Sequence, residues 1–163
     1  MRKLISFIFF CFYTISSFSQ AEIKTLTAKQ MYDLIQQSNK PSFVAFWNPN
    51  CEVGEEVLLK YQSVINKYSQ KINVYIIGLT DMHDLMLEMS NKVGLDYPLY
   101  SLGGDKSLNL FNRKQKFVQE ISELTNIDSG DFIMMYSKGS GYFDFIDDTV
   151  EIDYSKLNYL YSL

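Results

Sequence analysis

The chain has 163 residues, 47% hydrophobic and 15% aromatic, with 15 basic and 19 acidic side chains, a net charge of −4 and a pI near 5.0. This length fits one domain, and this apolar content builds a real core, which excludes global disorder. The acidic balance argues against a nucleic-acid groove, and one His with two distant Cys cannot assemble a zinc site or, without a Gly-x-Ser-x-Gly elbow, a serine-hydrolase triad.

Arg2 and Lys3 precede an uncharged run from Leu4 to Phe18 that ends in small and polar residues by Ala21. The run is short for a membrane span and reads as a secretory signal peptide over 1–20, with the working domain over 21–163. An uncleaved anchor is the rival reading, and membrane association is expected only in that case. Cys11 lies in this run behind bulky Phe9 and Phe10, which disfavours lipidation. Cleavage makes the chain more acidic and leaves Cys51 as its one thiol, so no internal disulfide can form.

Thr27-Ala28-Lys29-Gln30 predicts a capping box, with Met31, Leu34 and Ile35 at helical spacing and a stop at Asn39-Lys40-Pro41. Ser42–Trp47 is an apolar run suited to a strand buried on both faces, followed by the turn Asn48-Pro49-Asn50. Val57, Leu58, Tyr61, Val64, Ile65 and Tyr68 form one helical stripe from Gly54 onward. Ile72–Gly78 reads as a second buried strand. Thr80-Asp81 is expected to cap a helix with Leu85, Met86, Met89 and Val93 inward, ending at Gly94. Tyr97–Leu102 is extended, and Leu108 to Leu124 is a longer helix. Phe132–Tyr136 and Tyr142–Ile146 flank a Ser/Gly-rich loop as a hairpin, and 153–161 forms a last helix with Tyr154, Leu157 and Tyr161 inward. Alternating helices and strands imply an α/β fold: a central mixed sheet covered by helices on both faces.

Strand, Trp47, turn, Cys51, helix is the order of a thioredoxin-fold active site. Phe46-Trp47-Asn48-Pro49-Asn50-Cys51-Glu52-Val53-Gly54 resembles the Phe-Trp-x-x-x-Cys-x-x-Cys segment of that superfamily. The element order is similar to its secreted, TlpA-like redoxin branch. The resemblance implies thiol-disulfide exchange, a place in cell redox homeostasis, protein or small-molecule thiols and disulfides as partners, no cofactor or metal, and passage across the inner membrane, most simply to a periplasm. Cys51 is then the candidate nucleophile, with Trp47, Pro49, Asn50, Glu52, Gly54, Pro98 and Asp131 as candidate rim. The sequence departs from the pattern twice. Gly54 stands where the second cysteine belongs. The cis-proline position falls either on Pro98 or, in a longer register that the terminal hairpin favours, on Asp131.

One thiol can form a mixed disulfide but cannot resolve it, so release needs an external thiol. The expected placement at a helix N-terminus favours thiolate, while Glu52, Glu55 and Glu56 oppose it with no cation nearby in sequence. The peroxiredoxin Pro-x-x-x-Thr-x-x-Cys pattern is absent, since Val44 and Asn48 hold those positions. Two functions remain open: a monothiol redox protein, or a noncatalytic interaction module on the same scaffold. Trp47 is read as packing rather than a platform, His83 as a solvated helix residue, and Asp147, Asp148, Glu151 and Asp153 as a solvated turn rather than a calcium loop.

Overall fold

The computed structural model describes residues 23–139, 141–147 and 149–162. The segment 1–20 that is expected to be a signal peptide, with Cys11, the loop residue Ser140 and the acidic Asp148 lie outside them. Eleven elements follow in chain order: β1 (Lys24–Leu26), α1 (Ala28–Gln37), β2 (Ser42–Trp47), α2 (Gly54–Tyr68), β3 (Asn73–Gly78), α3 (His83–Val93), β4 (Leu99–Leu102), α4 (Leu110–Thr125), β5 (Met134–Lys138), β6 (Tyr142–Ile146) and α5 (Tyr154–Tyr161).

The strands form one mixed sheet in the order β1-β4-β3-β2-β5-β6. The first four of these run parallel, β5 pairs antiparallel with β2, and β6 pairs antiparallel with β5. Every residue of β2 is buried, as its unbroken apolar run predicts for a central strand. Its alternation divides the core. Phe43, Ala45 and Trp47 join Leu58, Tyr61, Met86 and Leu157 on the face covered by α2, α3 and α5. Val44 and Phe46 join Met31, Ile35, Phe117 and Met135 under α1 and α4.

Register fixes where the loops meet. Trp47 pairs with Gly78, and Gly78 with Ser101, so the carboxyl ends of β2, β3 and β4 lie side by side. The antiparallel β5 brings its leading segment to that same end, where the Phe46 N–H donates to the Ile133 carbonyl at 2.9 Å.

Several details differ from the pattern reading. The edge strand β1 pairs with β4, although its three residues carry no alternation to announce it. The hairpin's first strand starts at Met134, because Phe132 and Ile133 complete the approach to the sheet. Thr80 and Asp81 do not cap α3. Thr80 Oγ1 accepts the Met82 N–H at 3.1 Å, and Asp81 turns to Arg113. In α5 the buried residues are Leu157 and Leu160, while Tyr154 is exposed.

The capping box of α1 forms as read, and α5 gains a cap of its own. The Asp153 carboxylate accepts from the N–H groups of Ser155 at 2.9 Å and Lys156 at 3.2 Å. Hydrogen bonding from Ser155 holds its carboxyl below the ordinary 3.8. Asp153→Ala is expected to cost about 1 kcal/mol in urea unfolding at neutral pH. Because the folded carboxyl is depressed, this loss disappears as pH falls below 3.8 through the folded value.

Candidate functional site

Cys51 is exposed and unpaired, in the loop between the tip of β2 and α2. Local hydrogen bonds shape this loop. The Asn50 N–H donates to Asn48 Oδ1 at 3.0 Å, the Cys51 N–H to the Asn48 carbonyl at 3.2 Å, and the Gly54 N–H to the Cys51 carbonyl at 2.8 Å. Pro49 is buried beneath the turn, while Asn50, Cys51 and Glu52 face solvent. The helix itself starts only at Gly54, with Val53 as its N-cap and no side-chain cap bond. Cys51 therefore stands ahead of the first helical turn. The expected placement at the helix N-terminus is corrected: the field of the orphan N–H groups falls off over that distance.

Gly54 is held tightly. Its carbonyl accepts the Trp47 indole N–H at 2.7 Å, which ties the start of α2 to the end of β2. A Cβ built on Gly54 would stand 2.7 Å from the Asn48 carbonyl oxygen and 3.4 Å from the Pro49 Cα. Both contacts are with backbone, so the loop as folded has no room for a side chain at the position where a second cysteine would belong. Trp47 is 1% exposed, a packing residue whose edge reaches the site.

Beside Cys51 lies a cleft of about 190 Å³, walled by Val53, Val57, Leu79, Ile133 and Val150 and almost wholly carbon-lined. Besides Cys51, Asn48 and Lys114 of α4 are its polar lining residues. The Lys114 ammonium donates to the carbonyl and carboxylate of Asp131 and lies 5.5 Å from the Phe46 ring centre. Sequence distance concealed this cation, since the lysine is brought in by a helix from the far half of the chain. Other cations offset the glutamates as well. Glu55 pairs with Lys92 of α3, and Glu56 with Lys60 at 3.4 Å, leaving Glu52 without an ion pair among the described residues.

The rim residues do not all meet. Pro98 is exposed and precedes β4 at that strand's amino end, level with Tyr75 in the middle of β3, whereas Cys51 follows the carboxyl end of β2, and Pro98 does not line the cleft beside Cys51. It is therefore not part of the rim. The segment Asp131–Ile133 lies at the Cys51 end. No peptide bond among the described residues is cis. His83 is also corrected: it is half-buried, and its Nε2 lies 3.0 Å from Ser101 Oγ. The acidic turn is dispersed among partners, with Glu151 on Lys60 at 2.7 Å and Asp153 at the α5 cap. Among the described residues no His, Cys, Asp or Glu cluster is placed to hold a metal ion, and no helix is long and apolar enough to cross a membrane.

No family model matches the sequence, and no curated protein matches it. Solved structures do match. A secreted Mycobacterium tuberculosis disulfide oxidoreductase homologous to Escherichia coli DsbE aligns over 88% of this chain and 96% of its own, with a TM-score of 0.53 at 12% identity. DsbF of the same bacterium aligns over 86% and 96%, with a TM-score of 0.51 at 13% identity. A thioredoxin-like protein solved in its oxidised form aligns over 88% and 94%, with a TM-score of 0.50 at 12% identity. Identities this low speak to architecture alone. The six-stranded sheet, its flanking helices and these alignments together establish that the chain has the thioredoxin-like fold.

Proposed function

We propose that the protein is an exported thiol-disulfide exchange protein that works through the single sulfur of Cys51. The observation that carries this reading is an exposed, unpaired thiol at the mouth of an apolar cleft at the tip of the central strand, with no room for a neighbouring sulfur at Gly54. The Cys51 thiolate attacks one sulfur of a substrate disulfide. A Cys51–substrate disulfide forms, and the other substrate sulfur leaves as thiolate. An external thiol then attacks the substrate sulfur of that mixed disulfide. Cys51 departs as thiolate, and the substrate leaves disulfide-bonded to the incoming thiol. The apolar cleft suits the side chains that flank a cysteine in an unfolded or extended segment. Export is supported by the signal-like residues 1–20 and by the secreted character of one structural relative, and a periplasmic site is the simplest destination.

The test uses 5,5′-dithiobis(2-nitrobenzoate). Native protein is expected to release one thionitrobenzoate, hold the second as a stable adduct, and release it only when glutathione is added. Cys51→Ser should form no adduct. Loss of the second thionitrobenzoate without added thiol, or a native protein that never reacts, rejects the monothiol reading.

The position of Cys51 outside the first turn of α2 favours a second reading, a binding module that has lost redox work. In that case Cys51→Ser keeps every partner captured by the wild-type protein, whereas the monothiol reading requires covalent partners to vanish.

A further inference from the structure

The Cys51 cleft has an apolar interior and a charged border, and the border narrows its substrate. We infer, resting on the monothiol reading, that the cleft takes a disulfide carried by a basic polypeptide segment. An apolar side chain of that segment enters the cleft, and a lysine or arginine flanking its cysteine meets the carboxylates around Cys51.

Size favours a segment over a free small molecule. The cleft holds about 190 Å³, less than the roughly 300–1,000 Å³ of pockets that enclose a whole drug-sized ligand. It accommodates a side chain, while the disulfide itself meets Cys51 at the exposed mouth.

The border is built from the neighbours of the lining residues. Val53, Val57 and Val150 line the cleft, and Glu52, Glu56 and Glu151 adjoin them in the chain. The Lys60 ammonium donates to Glu151 at 2.7 Å and lies 3.4 Å from Glu56, which ties the segment after β6 to α2. Lys92 donates to Glu55, and this bond, with the charge of nearby Glu88 as a lesser cause, raises the lysine above its ordinary 10.5. Two ammonium groups thus serve four carboxylates, and Glu52, next to Cys51, is unpaired among the described residues. Glu52, Glu56, Glu88 and Glu151 are all exposed, so their excess charge faces an incoming chain.

Cations on the other side do not offset this excess. Lys114 is bound to Asp131, and Arg113 to Asp81. Lys106 lies toward Asp81, and neither Lys106 nor Arg113 lines the cleft. The attacking Cys51 thiolate adds one more negative charge. An anionic disulfide such as oxidised glutathione is therefore repelled on approach, and a cationic one is drawn in.

The experiment uses end-blocked peptides Leu-Cys-Xaa, with Arg, Gln or Glu at Xaa, activated as 2-pyridyl disulfides. Attack of the Cys51 thiolate on the peptide sulfur releases pyridine-2-thione and leaves the peptide disulfide-bonded to Cys51. Each rate is divided by that of 2-mercaptoethanol with the same peptide, which removes intrinsic reactivity. At low ionic strength the Arg peptide is expected to react about tenfold faster than the Glu peptide, with Gln between them, and about 0.5 M sodium chloride should shrink the ratio. Glu52→Lys should cut the ratio at least about threefold, and Ser-Cys-Arg should react about threefold more slowly than Leu-Cys-Arg. Equal rates for the Arg and Glu peptides, an unchanged ratio in Glu52→Lys, or equal rates for the Leu and Ser peptides overturn this inference while leaving Cys51 a working thiol. If the wild-type protein releases no more thione than Cys51→Ser, the monothiol reading falls and the inference falls with it.

Discussion

Gly54→Cys, which restores the spacing of a dithiol motif, is expected to lower stability by about 1–3 kcal/mol and to confer no turnover of protein disulfides. Two opposing effects decide the sign. Replacing glycine near a helix start relieves unfolded-chain entropy by up to about 1 kcal/mol. Against it stands a Cβ at 2.7 Å from the Asn48 carbonyl oxygen, closer than such contacts occur. That oxygen cannot swing away alone, because it accepts the Cys51 N–H at 3.2 Å and the loop is pinned through Trp47 to the Gly54 carbonyl at 2.7 Å. The steric cost therefore exceeds the entropic gain, and relief comes only by moving the loop that carries Cys51. Gly54→Ala serves as the control, since it adds the same Cβ without a sulfur. Equal urea midpoints for Gly54→Ala and wild type, or insulin reduction by Gly54→Cys at the rate of a dithiol enzyme, would show that the loop is not built around glycine.

The physical reason some features were legible in the sequence and others were not is visible in particular residues. Ser42–Trp47 and Gly54–Tyr68 coincide with their elements, because a doubly buried strand and a one-sided helix impose patterns that only one structure satisfies. Thr27 and Gln30 announced a cap that acts over four adjacent residues. What stayed hidden depends on contacts between distant parts of the chain. Arg113 occupies a buried position on α4 while the neighbouring Phe111 is 62% exposed, an inversion that a hydrophobic stripe cannot foresee. Lys114 lines the Cys51 cleft from α4, a helix in the far half of the chain. Pro98 had a plausible spacing from Cys51, yet parallel pairing of β4 with β3 places it at the amino end of β4, level with Tyr75 and away from the strand tips. Gly54 was legible as a missing cysteine, whereas the carbonyl that fills its space was not.

Asp81→Asn is expected to destabilise the protein by about 2–3 kcal/mol, while Arg113→Met, which removes the other half of the same pair, costs about 1 kcal/mol. The asymmetry follows from burial. The Arg113 side chain is 2% exposed and the Asp81 side chain 55%. Neutralising the aspartate leaves a guanidinium charge among Phe117, Val118 and the sheet without compensation, and water reaches it poorly. Removing the arginine leaves a carboxylate that hydrates on its exposed side, and Met refills much of the volume. The loss there is mainly the bond to the Leu102 carbonyl and imperfect packing. The exposed half of the pair also keeps the larger figure below the 3–5 kcal/mol of fully buried pairs. Acid unfolding supplies an independent readout. Hydrogen bonding from Arg113 holds the Asp81 carboxyl below its ordinary 3.8, so its contribution is complete above that value and is lost as pH falls through the folded one. The gap between wild type and Asp81→Asn is therefore expected to be constant near neutrality and to close progressively below pH 3.8. In Arg113→Met the Asp81 carboxyl regains an ordinary affinity for protons, and the acid limb of its stability curve flattens in the same way. Equal losses for the two variants at pH 7, or a gap that persists undiminished into strong acid, would assign the stabilisation to packing around α4 rather than to the ion pair.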